Sequence, residues 1–433
     1  MSDQNSLPEV FSTIKIPFKG SFIKKLFAFS GPGLLVAVGY MDPGNWATSL
    51  AGGSQFGFSL LSVILLSNVF AILLQYLALK LGIASEKDLA QQCRAYFSPS
   101  INFILWLLCE IAIAACDLAE VLGSAIALNL LFHIPLMVGV LITSLDVLVI
   151  LFFQKKGFRI LESIVAGLIF VVFIAFVYEL LVSHPDIFPM LKGFIPTKEV
   201  YENPSMLYIA IGILGATVMP HNLYLHSSIV QTRDYPRTIP GKKMAIKFAT
   251  IDSTMSLFFA FFINAAILIV SAASFYTSGH RNVSDLTNAY QLLSPVLGVS
   301  LASAFFAIAL LASGQNATIT GTLAGQIVME GFLSFKLKPW QRRLVTRLIA
   351  ILPACIIISL RGAGGMTDLL LFSQIILSIQ LSFAVIPLVL FTSNKKIMGL
   401  FVNSWRVKVI SWFVASVILF FNLLLFYQFC RLK

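Results

Sequence analysis

Charge is what this sequence has least of. Of its 433 residues only 11% are Asp, Glu, Lys or Arg, 58% are hydrophobic, and mean hydropathy is +0.90. A soluble globular domain draws about a quarter of its residues from the charged set, so that class is excluded. Paired cysteines are missing too. Cys93, Cys109, Cys116, Cys355 and Cys430 show no C-x-x-C spacing, which argues against a disulfide framework or a zinc site and leaves them as packing residues. Acids are outnumbered 19 to 30 by Lys and Arg, for a net charge of +11. Nucleic acid is not the implied partner, because the basic residues fall in short loops between apolar runs. A cleavable leader is not expected either: the first 20 residues are polar, and the first apolar run outlasts a signal core.

What is present is a series of apolar runs long enough to cross a bilayer. We read an all-α integral membrane protein with eleven spans, at 31–56, 58–83, 101–127, 133–153, 160–183, 206–232, 248–274, 299–329, 344–360, 367–391 and 409–429. With a cytoplasmic N-terminus, the inner segments hold 24 of the 30 basic residues and the outer ones 6. That asymmetry predicts a multi-pass cell-membrane protein, N-terminus inside and C-terminus outside. Segment Glu86–Ser98 is amphipathic enough to lie along the inner surface. Residues 1–30 read as a cytoplasmic lead, 31–392 as the core, and 393–433 as an inner loop and eleventh span.

Two spans contain what a membrane helix should not. Gly39-Tyr-Met-Asp-Pro-Gly-Asn45 puts an acid, a proline, a glycine and an amide inside span 1. Gly215-Ala-Thr-Val-Met-Pro-His-Asn222 interrupts span 6, with Met219 following Asp42 by 177 residues. Proline removes a donor and glycine adds freedom, so both helices should break. A break at membrane depth survives only where protein covers it or a wet cavity adjoins it. Spans 1 and 6 run in opposite directions, which predicts two inverted repeats, 31–183 and 206–391, with span 11 left over.

The atoms at the breaks suggest a cation site. Asp42 offers a carboxylate, Asn45 an amide oxygen, and Ala216 a carbonyl that Pro220 cannot bond. Met219 adds a thioether, which biases an otherwise oxygen shell toward Mn²⁺, Fe²⁺ and later divalent metals. Its bland alternative is core filling. His221 and His226 are spaced i, i+5, unlike a metal-ligand pair, so proton handling or packing fits them better. Glu110, Asp117 and Glu120 share one face of span 3. Such a cluster suggests a proton relay or pairing with buried arginines, for which Arg233, Arg342, Arg343 and Arg347 are candidates. Asp146 and Asp252 carry no assignable role, and Asn282-Val-Ser284 matches a glycosylation acceptor only as a pattern.

Asp42-Pro-Gly-Asn45 and Met219-Pro-His-Asn222 resemble the paired motifs of the natural-resistance-associated macrophage protein (Nramp) family of divalent-metal transporters. Asp117-Leu-Ala-Glu120, the run Gly314–Gln326 with Met329-Glu-Gly, and Ser373–Gln380 are similar to its signatures on spans 3, 8 and 10. Asn316-Ala317 and Leu323 depart from the span-8 pattern. The likeness covers about residues 30–392 and is nearest to bacterial proton-dependent manganese transporters. It implies the leucine-transporter fold and metal held by Asp42, Asn45, Met219 and the Ala216 carbonyl, with Gly39 and Gln374 contributing in some states. It also implies a proton route through Asp42, His221, Glu120, Asp117 and Glu110, with Arg233 among their partners.

The reading is therefore a proton-coupled symporter importing Mn²⁺ or Fe²⁺, with Cd²⁺, Co²⁺ and Zn²⁺ as further candidates. It is not an enzyme and carries no cofactor, the metal being cargo. Its partners are the ion, the proton and the lipid bilayer, with no nucleic acid; oligomeric state is left open. The first rival is a sodium-coupled amino-acid carrier on the same fold, which would need small apolar groups in place of Asp42 and Met219. The second is an intramembrane metalloenzyme using Asp42, His221 and His226, which lacks a general base at a fixed spacing.

Overall fold

The computed structural model describes residues 6–7, 14–16, 20–143, 145, 158–281, 283, 285–299, 301–333, 339–361 and 364–431. Among them, eight helices are long and apolar enough to cross a membrane, or nine if Phe22–Phe29 and Pro32–Met41, bent by 46°, are one span. The eight correspond to spans 2, 3, 5, 6, 7, 8, 10 and 11. Span 9 lies within helix Pro339–Arg361. Span 4 begins as Leu136–Thr143; most of its remainder, with Asp146, lies outside the described residues, as do Asn282 and Ser284 of the glycosylation pattern.

Span 1 is two half-helices, Pro32–Val38 and Pro43–Phe56, joined by the 3₁₀ turn Gly39–Met41. Span 6 divides likewise into Pro204–Thr217 and Pro220–Ile229. In each case a proline opens the second half, where its missing N–H costs nothing and its fixed φ suits the first turn. Both halves of span 1 pack on span 7 and the second half of span 6 on span 2, with spans 3, 8 and 10 forming the opposite wall. The broken spans thus sit in the middle of the bundle, and residues 35–54 and 206–233 are almost entirely buried. Backbone polar groups freed by a break therefore meet protein rather than lipid.

Helix Leu89–Tyr96 is more than a surface attachment. Leu89, Ala90, Gln91, Gln92 and Cys93 are buried, and the Leu89 N–H donates to Ser227 Oγ at 2.9 Å. On the same side of the molecule, Ile14–Lys15 pairs in parallel with Arg233–Asp234 just beyond span 6. The N-terminal segment and the end of span 6 therefore share one face. Span 7 ends in a π-helical turn, Ala272–Tyr276, that packs on the second half of span 1. Ser271 there donates to the Leu50 carbonyl at 2.7 Å.

Candidate metal site

Asp42 is where span 1 restarts. Its backbone is extended (φ −71°, ψ 168°), and Oδ1 caps the next helix by accepting the Asn45 N–H at 2.9 Å. Capping consumes one carboxylate oxygen. The other, Oδ2, is buried without a hydrogen-bond partner, and so is Asn45 Oδ1. The carbonyls of the preceding turn are largely engaged: Asn264 donates to Tyr40 O at 2.6 Å, Trp46 Nε1 to Met41 O at 3.3 Å, and Ser313 Oγ also to Met41 O. The break is thus braced from spans 7 and 8, and the unspent acceptors are side-chain oxygens.

At span 6 the chain leaves helix at Val218, and Met219 is extended (φ −69°, ψ 124°) ahead of Pro220. Pro220 has no N–H to return to Ala216. The Met219 side chain is buried among Ala112 and Cys116 of span 3 and Leu377 of span 10. Span 10 joins the two breaks through Gln374. A Cβ on Gly44 would overlap the Gln374 amide, and one on Gly215 would overlap the backbone of the same residue. Gln374 donates to Ser373 Oγ at 2.9 Å and keeps Oε1 unpartnered. Asp42 Oδ2, Asn45 Oδ1 and Gln374 Oε1 are three buried oxygens without a partner, all drawn from span 1 and the span-10 residue pressed on it. Buried acceptors are ordinarily paired, so a group of orphans marks a place for a ligand.

The whole chain matches a known pattern. The family model "natural resistance-associated macrophage protein-like" matches residues 33–428. The chain belongs to the Nramp family. It is 63% identical over 423 residues to the divalent metal cation transporter MntH of Nostoc sp., covering 98% of this chain and 96% of that one. The Listeria innocua protein of the same name is 62% identical, at 98% and 94% coverage. Among solved structures, the Eremococcus coleocola manganese transporter, crystallised with an aromatic bis-isothiourea compound, superposes with TM-score 0.89 at 42% identity. That match covers 97% of this chain and 90% of that one. Mhp1, a nucleobase-cation-symport-1 family transporter, shares the fold alone: TM-score 0.61 at 15% identity, covering 92% and 90%. The leucine-transporter-like fold that the family resemblance implies is therefore the fold of this Nramp protein.

Other residues singled out in the sequence take definite places in the Nramp core. Asp117 and Glu120 are buried and both lie against Gly321 of span 8. Glu120 Oε2 is 3.8 Å from Arg347 Nη1, and Arg347 Nη2 donates to Thr318 Oγ1 at 2.9 Å. Cys116 Sγ lies 3.6 Å from Glu120 Oε1, and Cys116 packs in one cluster with Met219, which brings the span-3 acids within a turn of the break. Glu110 is half-buried two turns away and accepts from Trp106 Nε1 at 3.2 Å. His221 is buried, with Nδ1 unpartnered.

One placement differs from expectation. Arg233 does not sit with the span-3 acids; its Nη2 pairs with Glu162 of span 5 at 2.7 Å and donates to the Ser30 carbonyl at 2.8 Å. Proximity at the end of span 6 made Arg233 a candidate, but nothing local to it announces a partner 71 residues earlier. His226 meets Gln75 Oε1 through Nδ1 at 2.8 Å, with its Nε2 buried and unpartnered, and Gln75 Nε2 reaches the Tyr40 hydroxyl at 2.7 Å. Sequence reading missed Gln75, Asn264, Glu162 and Ser313. Their one signal was a polar side chain inside an apolar span.

Asp252 also gains a role. Its carboxylate accepts the N–H groups of Gly33 at 2.7 Å and Gly31 at 3.4 Å, capping the start of span 1. Gly31 has φ +134°, and a Cβ there would strike Glu162. Among the described residues no three His, Cys, Asp or Glu side chains converge as a metal cluster.

Proposed function

We propose that this chain is a proton-coupled symporter that imports Mn²⁺, with Fe²⁺ as the neighbouring substrate, by alternating access around the two breaks. One observation carries the reading: the Asp42 oxygen left over from helix capping is buried without a partner, as are the neutral oxygens Asn45 Oδ1 and Gln374 Oε1. Asp42, Asn45, Met219 and the Ala216 carbonyl form the metal shell, with Gln374 and the Gly39 carbonyl joining as the breaks move. A single carboxylate among neutral ligands suits a carrier, because an ion must leave as well as bind. The names of the relatives, divalent metal cation and manganese transporters, support the same substrate.

The proton leaves the ion's site through Asp42, His221 and the span-3 acids Asp117 and Glu120, with Arg347 balancing Glu120. Glu110 lies further along the same helix. Arg233, tied to Glu162, belongs to the closure of the N-terminal side rather than to this route. The two repeats, 31–183 and 206–391, rock about the midplane. The excess of basic residues in alternate loops supports a cytoplasmic N-terminus and an outer C-terminus in the cell membrane.

Reconstituted protein tests the proposal. Mn²⁺ entry into liposomes should acidify the lumen, and Asp42→Ala should abolish both Mn²⁺ binding and entry while the protein still purifies as a folded species. Metal entry with no proton movement would remove the coupling; near-normal affinity in Asp42→Ala would remove the site.

A further inference from the structure

Asn222 stands on the first turn of the second half of span 6, beside His221, and is fully buried. Its backbone is satisfied, since its N–H donates to the Met219 carbonyl at 3.2 Å. Its side chain is not: neither amide nitrogen nor amide oxygen has a partner. Leaving a buried polar group unsatisfied is costly, and an amide carries two such groups. Other buried amides around the breaks avoid that cost at least in part, Asn264 by donating to Tyr40 and Gln75 by bonding both Tyr40 and His226. An apolar side chain of the same size would fill the space at no such penalty.

The position of the amide explains what it is kept for. It presses on the Cα of Gly39, where a Cβ would overlap it. Gly39 precedes Asp42 by three residues, and Asn222 follows Met219 by three. The amide therefore bridges the two breaks on one side of the site. That side is the one shared by the N-terminal segment and the end of span 6.

We infer that Asn222 is a further contact for the transported ion. Its amide oxygen takes the metal, or a water the metal retains, on the face toward the N-terminal segment. The inference rests on the reading of Asp42 and Met219 as the metal site and deepens it. Until Gln374 and Gly39 join, the four donors Asp42, Asn45, Met219 and the Ala216 carbonyl leave incomplete an octahedral shell, the geometry that Mn²⁺ shares with Mg²⁺ and Ca²⁺. A neutral oxygen adds to that shell without bringing a second formal negative charge, and it offers the ion its next foothold once it passes Asp42.

The test compares Asn222→Leu, which removes both polar atoms, with Asn222→Asp, which keeps an oxygen. Mn²⁺ affinity is measured by calorimetry on purified protein, together with the melting temperature without metal. Asn222→Leu should weaken Mn²⁺ binding about tenfold, while Asn222→Asp should stay within about threefold of wild type or bind more tightly. The metal-free melting temperature of the leucine variant should be unchanged or higher, because an unpaired amide has gone. Wild-type affinity in Asn222→Leu would overturn the inference. So would weaker binding together with a lower metal-free melting temperature, which would make Asn222 a framework residue. Asp42→Ala, run in parallel, separates the two claims. Full affinity in Asp42→Ala removes the metal site itself, whereas loss there with none in Asn222→Leu removes only the role of Asn222.

Discussion

At the scale of single residues, the site is an exercise in leaving atoms unspent. Asp42 caps a helix with one oxygen and holds the other in reserve. Met219 supplies the only soft atom among the proposed ligands. Ca²⁺ and Mg²⁺ gain nothing from a thioether, and Mg²⁺ sheds water reluctantly. Mn²⁺, Fe²⁺ and Cd²⁺ tolerate sulfur progressively better. Met219→Ala opens room for a water and makes the shell all oxygen. Mn²⁺ transport should then persist at reduced affinity, Cd²⁺ should lose most, and Ca²⁺ should begin to compete with Mn²⁺ in proteoliposome uptake. A tenfold relative shift needs only about 1.4 kcal/mol. Equal resistance to Ca²⁺ in wild type and variant would move selectivity from the sulfur to cavity size. The proposed ligands stand out in the chain because acid, amide, proline and thioether are each improbable inside a span. Asn222 does not stand out, since an orphaned amide is visible only once its surroundings are known.

At the scale of elements, the breaks and the spans followed from local rules, and the contacts between elements did not. Hydropathy places a helix but does not say that Arg233 answers Glu162, or that Asp252 caps the start of span 1. Such pairings join segments far apart in sequence, with no signature at either end. The helix Leu89–Tyr96 shows the same limit. Its amphipathic pattern was read as a surface habit, while its buried face is held by protein. Its cap is a reciprocal pair: Asp88 accepts the Gln91 N–H and Gln91 Oε1 accepts the Asp88 N–H, each at 2.9 Å. Burial nevertheless dominates the charge on Asp88 and lifts its carboxyl from 3.8 to about 6. The folded state thus holds this proton more tightly than the unfolded chain does. The associated stability is fully present below pH 3.8 and is lost as pH rises toward about 6. Asp88→Asn keeps a good capping residue and removes the titration. Melting curves across that window should fall more steeply with pH for wild type than for Asp88→Asn. Parallel curves would show that the carboxyl titrates alike in both states.

At the scale of the whole molecule, the inverted arrangement makes the site's position electrical as well as geometric. A divalent ion crossing the membrane toward a negative interior gains about 4.6 kcal/mol per 100 mV, at about 2.3 kcal/mol per charge. Mn²⁺ entry into liposomes at matched pH should therefore accelerate when a potassium diffusion potential makes the lumen negative, and slow when the sign is reversed. Indifference to the sign would mean that the charge-moving steps do not limit turnover.

Gly39 and Gly44 bring a genetic consequence. One lies under the Asn222 amide and the other under the Gln374 amide, each leaving no room for a methyl group. A glycine codon becomes an alanine codon by one base change, so both positions sit one mutation from a wedge in the site. A tolerance map of this chain would rank them beside Asp42, although neither contributes a side chain. Anyone inferring chemistry from such a map would look for a side chain at two positions whose side chains contribute only empty space.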